Sequence, residues 1–160
     1  MELVRTVAAM QALAEDRRRA GRTLALVPTM GALHDGHLAL VDAAREHGDH
    51  CTVSIFVNPT QFAPGEDFEQ YPRILERDLH TLERIGGVDI VFAPSVEEMY
   101  PGGQAHPRIW VALDHLDAHL CGPHRPGHFR GVITVVTKLF HSCRSHVAVF
   151  GLKDAQQFII

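Results

Sequence analysis

The chain places two histidines and a glycine together at the start of a helical pattern. In the stretch PTMGALHDGHLALV (28–41), His34 and His37 are three residues apart and Gly36 lies between them, soon after a short apolar run. A glycine lets a ligand approach the backbone closely, and the first turn of a helix offers free N–H groups and a positive dipole end to a phosphate. Imidazole N–H groups can also stabilise the charge that develops on phosphoryl oxygens during group transfer. The pattern therefore indicates a phosphate-binding site.

Two other interpretations of this histidine pair are open. The side chains could be ordinary surface residues, or they could be two ligands of a metal ion. A zinc site needs at least a third ligand, and Cys51, the nearest cysteine in sequence, lies within a predicted strand. Because neither the Walker pattern nor G-x-G-x-x-G occurs in the chain, the H-x-G-H spacing carries the phosphate hypothesis by itself.

The elements that must position these residues alternate between strands and helices. Short, almost wholly apolar runs predict strands that are buried on both faces, and apolar residues at helical spacing predict helices. The predicted strands are 23–29, 51–57, 88–94, 108–113 and 146–151. The predicted helices are 6–20, 36–47, 73–86 and 128–143, with a short helix after Ser95 and the start of another within 153–160. This alternation predicts an α/β fold with a Rossmann-like, doubly wound parallel sheet, in one domain over 1–160.

The polar and glycine-rich segments of the chain follow the ends of the predicted strands. These segments are PTMGALHDGH (28–37), NPTQF (58–62), APSVEEMYP (93–101) and GLKDAQQ (151–157). Ligands of doubly wound sheets bind beyond the carboxyl ends of the strands. The sequence therefore predicts that these segments meet at one edge of the sheet and form the site.

The composition of the chain bears on its partners and on the compartment in which it works. The chain has 160 residues, of which 46% are hydrophobic, and a formal net charge of −4 with histidine neutral. This balance gives no indication of nucleic acid or a membrane as a partner, and no apolar run approaches the roughly 20 residues that span a bilayer. Three widely spaced cysteines without a C-x-x-C pattern make a disulfide framework an unsuitable interpretation. We therefore expect a cytoplasmic protein.

Four stretches carry a resemblance to a known family. H-x-G-H after the first predicted strand resembles the signature of the nucleotidylyltransferase superfamily. PTMGALHDGH, FVNPTQF with YPR, RPGHFRGVITVVTKLF and GLKDAQQ, in this order, resemble the blocks of the pantoate–β-alanine ligase family. The resemblance implies condensation of pantoate with β-alanine, with ATP and Mg²⁺, through a pantoyl-adenylate. It also implies a homodimer.

The resemblance assigns the ATP-binding residues. The family pattern puts ATP on Met30, His34, Gly36, His37, Gly151, Lys153 and Asp154. Among these, His34, His37 and Lys153 would contact the phosphates and act in catalysis. Asp154 would hold the nucleotide ribose or, as the simpler interpretation, cap the helix that follows.

The same resemblance assigns the pantoate-binding residues. Pantoate would lie against Met30, Asn58, Gln61 and Gln157. Further candidates are Tyr71, Arg125 and His128, with Asp78 as an indirect magnesium ligand. Simpler interpretations are a loop-surface position for each glutamine, an ordinary Asn-Pro turn at 58–59, and a surface salt bridge for the arginine.

The sequence departs from the family pattern at several places. Cys121, Leu152 and Ala155 stand where the resemblance leads us to expect two acidic residues and an aromatic one. The family also has a smaller C-terminal domain with a serine- and arginine-containing loop that closes over ATP, and nothing in 1–160 matches it. We therefore expect an N-terminal domain of a longer two-domain enzyme, weak or inactive alone. The alternatives are another adenylyltransferase with the same chemistry, and a non-catalytic module for nucleotide binding or dimerisation.

Overall fold

Apolar runs of the chain form a parallel sheet, as the sequence predicts. The computed structural model describes residues 1–63, 66, 68–102, 107 and 109–160. In this part of the chain the strands are β1 (Glu2–Val4), β2 (Leu24–Thr29), β3 (His50–Ile55), β4 (Ile90–Phe92) and β5 (Val147–Ala148). They pair in the order β1-β4-β3-β2-β5, and every pair is parallel. The α/β, doubly wound fold class is confirmed.

Helices connect the strands. They are α1 (Val7–Arg19), α2 (Asp35–His47), α3 (Leu75–Ile85), α4 (Val96–Met99), α5 (His128–Cys143) and α6 (Ala155–Ile159). Local chemistry fixes their ends: Thr6 caps α1 by accepting from the Ala9 N–H at 3.3 Å, and Ser95 caps α4 by accepting from the Glu98 N–H at 3.2 Å. No helix of the described residues is both long and apolar enough to cross a membrane.

The alternation of side chains along β2 divides the core into two layers. Leu24 and Leu26 face a buried cluster that includes residues of α1, α4 and α5, whereas Ala25 and Val27 face a cluster that includes residues of α2 and α3. A strand covered by helices on both faces must be apolar throughout. This explains why β2 reads as a continuous apolar run.

Several sequence predictions need correction. β1 was not predicted, because it is a three-residue edge strand with only Val4 buried. The predicted strand 108–113 is wrong for 109–113, which is irregular, while residue 108 lies outside the described residues. The predicted loop after β3 contains a short 3₁₀ helix, Pro59–Gln61, and residues 64, 65 and 67 of that loop lie outside the described residues.

The strand order creates a crevice at the carboxyl end of β2. The chain moves from β2 to β3 and β4 on one side of the sheet, then returns to add β5 on the other side of β2. The connection from β2 to β3 and the connection from β4 to β5 therefore run in opposite directions across the sheet. This reversal point is where open α/β sheets bind ligands, and the segments 30–37 and 149–154 lead away from it.

Candidate active site

A cleft of about 560 Å³ lies at this reversal point. Its volume falls within the roughly 300–1,000 Å³ that is usual for small-molecule sites. The cleft brings together most of the residues that the sequence nominates, including Met30, His34, His37, Asn58, Gln61, Tyr71, Lys153, Asp154 and Gln157. The segments after β2, β3 and β5 therefore meet at one edge of the sheet as predicted, whereas the fourth predicted segment, 93–101, does not line this cleft.

The two histidines form a linked pair at the N-terminus of α2. The Gly36 N–H donates to His34 Nδ1 at 3.1 Å, and the His34 N–H donates to His37 Nδ1 at 3.4 Å. The ring centroids are 4.2 Å apart. Because a backbone N–H can only donate, each Nδ1 acts as an acceptor, and the hydrogen of each neutral ring is then on Nε2. The pair can therefore present two Nε2–H donors.

His37 is held neutral by its surroundings. Burial lowers the pKa of His37 below its ordinary value of 6.5, and the neighbouring His34 lowers it further. Asp78 acts in the opposite direction, as does Asp154, whereas Lys153 adds to the lowering. A neutral imidazole that donates from Nε2 and accepts at Nδ1 is the form that the local hydrogen bonds require.

Gly36 is required by the close approach of the His34 ring. A Cβ at Gly36 would lie 2.9 Å from His34 Cε1 and 3.1 Å from His34 Nδ1. Any side chain there would displace the ring that caps the helix. Glycine at position 36 is therefore required for a second reason besides close approach of a phosphate, namely the packing of the His34 ring.

Asp78 fixes the loop that carries the cleft floor. Its Oδ2 accepts from the Ala32 N–H and its Oδ1 from the Leu33 N–H, both at 2.9 Å, and the residue is only 2% exposed. Gly31 packs against the same carboxylate with φ +82°, a conformation that favours glycine. Asp78 does not line the cleft. Because its observed partners are two backbone N–H groups, Asp78 anchors the turn between β2 and α2.

The wall opposite the histidines is built around Asn58. This side chain is 1% exposed, accepts from the Tyr100 hydroxyl at 2.7 Å and from the Thr60 hydroxyl at 2.9 Å, and donates to Gln61 Oε1 at 3.1 Å. Gln61 Nε2 lies 3.2 Å from Met30 Sδ. The buried amide thus orients the Gln61 side chain at the edge of the cleft.

Two nominated residues lie behind this wall rather than on the cleft. Arg125 donates two hydrogen bonds of 2.9 Å to Glu66. Its observed contact is therefore a salt bridge, which was the simpler of the two interpretations. This pairing lowers the pKa of Glu66 to about 2, chiefly through the hydrogen bonds from Arg125. His128 Nδ1 lies 2.7 Å from the Gln61 carbonyl oxygen.

The third wall follows β5. Lys153, Asp154 and Gln157 line the cleft, and both charged side chains are exposed. Asp154 occupies the N-cap position of α6, as the capping interpretation requires, but its side chain makes no capping bond. The half-buried Gly151 does not line the cleft, and neither does Gly36.

Sequence reasoning missed three residues that support these walls. Tyr100 is 3% exposed and bonds Asn58, Glu66 holds Arg125, and Gln156 accepts from the Cys121 N–H at 3.0 Å. Gln156 also donates to the His119 carbonyl at 2.8 Å. The sequence does offer Glu66, in the loop after Gln61, as a possible partner for an arginine. No pattern in the sequence links Gln156 to the loop before α5.

The described residues contain no group of three or more His, Cys, Asp or Glu side chains that could hold a metal ion. The metal interpretation of the histidine pair therefore gains no further ligand in this part of the chain. Asp78, the nominated magnesium ligand, already accepts one backbone N–H on each oxygen. The residues present do not fit a magnesium ion held by the protein alone.

Comparison with known proteins gives a consistent match over the whole chain. A family model described as pantoate-beta-alanine ligase matches residues 2–160. The pantothenate synthetase of Salinibacter ruber is 63% identical over 100% of this chain, which spans 55% of that protein. The pantothenate synthetase of Acetivibrio thermocellus is 52% identical over 100% of this chain, which spans 56% of that protein. The chain thus spans about half the length of the curated relatives that it matches.

Solved structures agree with the sequence comparison. The crystal structure of pantothenate synthetase from Thermus thermophilus superposes with a TM-score of 0.90 at 47% identity, covering 100% of this chain and 55% of that one. The pantoate-beta-alanine ligase of Francisella tularensis, complexed with beta-gamma ATP and beta-alanine, gives a TM-score of 0.90 at 35% identity. That match covers 99% of this chain and 59% of the other.

Proposed function

Because the chain belongs to the pantoate–β-alanine ligase family, we propose that it binds ATP and pantoate and takes part in the ATP-driven condensation of pantoate with β-alanine. The reaction forms pantothenate through a pantoyl-adenylate intermediate, and the enzyme is a ligase. The observation that supports this most directly is the meeting of the histidine pair, Gln61 and Lys153 around one cleft. Residues 1–160 are proposed as the ATP- and pantoate-binding domain of this enzyme, and the chain alone is expected to be weak or inactive.

The histidine side of the cleft binds the phosphates of ATP. The Nε2–H groups of His34 and His37 donate to phosphoryl oxygens, and the N-terminus of α2 adds its free N–H groups and dipole. Lys153 supplies positive charge from the wall that follows β5. Asp154 follows it and accepts from the ribose hydroxyls.

The amide side of the cleft binds pantoate. Gln61 and Gln157 each offer both a donor and an acceptor, which suits a substrate with hydroxyl and carboxylate groups. Asn58 holds the Gln61 amide by a 3.1 Å bond, so the orientation of this group is set before the substrate arrives. Met30 lies between the two sides and contacts both substrates.

The two half-reactions need no protein nucleophile. In the first, a carboxylate oxygen of pantoate attacks the α-phosphorus of ATP, the α–β phosphoanhydride bond breaks, and pyrophosphate leaves. In the second, the neutral amine of β-alanine attacks the acyl carbon, AMP leaves with the bonding electrons, and the nitrogen loses a proton. The side chains align the reactants and stabilise phosphoryl charge.

Magnesium is assigned no step here, because the described residues do not fit an ion held by protein ligands alone. The family resemblance implies Mg²⁺, and we propose that it enters with the ATP phosphates. A homodimer is also proposed on the same resemblance, and light scattering over a range of concentrations measures it directly.

Binding calorimetry on single variants tests the proposal. The unmodified chain should bind ATP with Mg²⁺ and, separately, pantoate. His34→Ala should weaken ATP and leave pantoate binding in place, whereas Gln61→Ala should do the reverse. His47→Ala, at the exposed far end of α2, and Gln70→Ala, an exposed glutamine that does not itself line the cleft, are the matched controls. Failure of the unmodified chain to bind either ligand would refute the proposal.

A further inference from the structure

A continuous series of contacts runs from Glu66 to the backbone of Gln61. Glu66 Oε1 and Oε2 accept from Arg125 Nε and Nη2, both at 2.9 Å. Arg125 Nη1 lies 3.0 Å from His128 Nε2, and His128 Nδ1 lies 2.7 Å from the Gln61 carbonyl oxygen. Neither Arg125 nor His128 lines the cleft, although both were nominated as substrate contacts.

The two ends of this series determine the protonation of His128. A guanidinium can only donate, so His128 Nε2 must accept; a carbonyl can only accept, so Nδ1 must carry the hydrogen. Both requirements are met by the neutral Nδ1–H form alone. Burial lowers the pKa of His128, which agrees with a neutral ring. This form is opposite to that of His34, whose Nδ1 accepts.

Gln61 is consequently held at two points. His128 fixes its carbonyl, and Asn58 donates to its side-chain Oε1 at 3.1 Å. With Oε1 occupied by a donor, the amide NH₂ of Gln61 turns toward Met30 and the cleft. Displacement of the carbonyl would rotate the 3₁₀ turn that carries this amide.

We propose that His128, kept in its Nδ1–H form by the Arg125–Glu66 ion pair, is a positioning residue that sets pantoate affinity through Gln61 without touching the substrate. The inference rests on the proposed function in one respect, which is that Gln61 binds pantoate. The arrangement acts on the pantoate side of the cleft only, because the ATP side is built from α2 and the segment after β5.

Conservative and non-conservative substitutions at His128 separate positioning from packing. His128→Asn places an amide N–H close to the position of Nδ1–H, whereas His128→Ala removes the donor. Loss of one hydrogen bond predicts that His128→Ala weakens pantoate binding about tenfold, with ATP binding unchanged, and that His128→Asn stays within about threefold of the unmodified chain. His124→Ala, an exposed histidine in the preceding turn, is the matched control.

Calorimetry with pantoate and with ATP decides the outcome. Equal weakening in the Asn and Ala variants, or a parallel loss of ATP binding, would overturn the positioning role. Absence of pantoate binding in the unmodified chain would instead refute the proposed function. The positioning role is then judged by NMR. The Gln61 side-chain amide resonances should shift in His128→Ala and should stay near their unmodified positions in His128→Asn. Detection of the Nε2–H form of His128 would contradict the positioning role. Glu66→Gln provides a milder variant should His128→Ala fail to fold.

Discussion

A single methyl group at Gly131 should displace the pantoate side of the cleft. Gly131 lies on α5 where the helix passes the 3₁₀ turn, and a Cβ there would stand 2.2 Å from the Thr60 carbonyl oxygen and 2.8 Å from the Gln61 nitrogen. An ordinary contact begins at about 3.4 Å, so Gly131→Ala must separate the two backbones by roughly 1.2 Å. A displacement of this size moves the Gln61 amide out of hydrogen-bond reach of pantoate, and each lost hydrogen bond costs about 1 kcal/mol. We therefore expect pantoate affinity to fall by about tenfold.

Calorimetry with both ligands measures this effect and its locality. The overpacking should also lower the free energy of unfolding by about 1–3 kcal/mol, which a denaturant titration records. ATP binding should persist, because His34 and His37 do not contact the turn. Arg130→Ala is the control, since Arg130 is the preceding residue of α5 and stacks over Trp110 at 4.2 Å on the exposed surface. Unchanged pantoate affinity in Gly131→Ala, or loss of both ligands together, would refute the reasoning.

Four further outcomes are expected. Asp78→Asn should lower the free energy of unfolding by about 1–3 kcal/mol, because an amide can accept at only one of the two backbone N–H groups that the carboxylate satisfies; an unchanged denaturant midpoint would contradict this. Lys153→Ala should weaken ATP binding about tenfold or more without changing the unfolding midpoint, since the exposed ammonium contributes charge and little packing. Acidification from about pH 7 to pH 5 should lower the free energy of unfolding, because the pKa values of His37 and His128 lie below 6.5 in the folded chain and the unfolded chain therefore takes up these protons first. The contribution of the two histidines to stability is complete above pH 6.5 and is lost as the pH falls through their folded-state pKa values. A constant unfolding midpoint over this range would contradict the prediction. Cys121 should be the one thiol that an alkylating reagent labels in the native chain, because the other two are buried with pKa values raised to about 12, and mass spectrometry should find a single adduct.

The local patterns of the chain predicted its main elements. α5 begins and ends where the sequence predicted, and α1 and α2 agree to within a residue, because apolar periodicity and end signals coincide there. β1 escaped notice since three residues with one buried side chain carry no periodicity. The segment 109–113 is a short apolar run like a strand, yet it finds no partner strand among the described residues, which shows that pairing and not propensity decides such cases.

Most of the cleft lining was predictable from the sequence, but the hydrogen bonds within the cleft walls were not. The residues after the strand ends could be grouped because parallel strands place them at one edge. The His34 ring as a helix cap was not foreseen, since serine, threonine, aspartate and asparagine usually fill that role. Asp78 did carry a signal: it lies three residues after Leu75 and four before Leu82, on the inward face of α3, where a carboxylate must find donors.

The contacts of His128 with Gln61 had no such signal. Spacing within one element says which residues share its face, but the approach of a helix start to a distant turn depends on the packed fold. The same holds for Tyr100 and Asn58, which are joined through a buried hydroxyl. Gly131 marks this approach in hindsight, because a glycine inside a helix is costly unless a close contact requires it.

The pairing of β2 with β5 makes the order of folding relevant to ligand binding. Strand β5 has two residues, which pair with β2 in the register Ala25–Val147 and Leu26–Ala148. Strands β1 to β4 can associate through earlier parts of the chain, whereas the cleft is complete only after this distant segment has closed on β2. A nucleotide that bridges the seam would bind the closed state alone and stabilise it by mass action. Occupancy of the cleft should therefore slow amide hydrogen exchange at Val149, whose N–H donates to the Leu26 carbonyl at 2.9 Å, more than at the centre of β3.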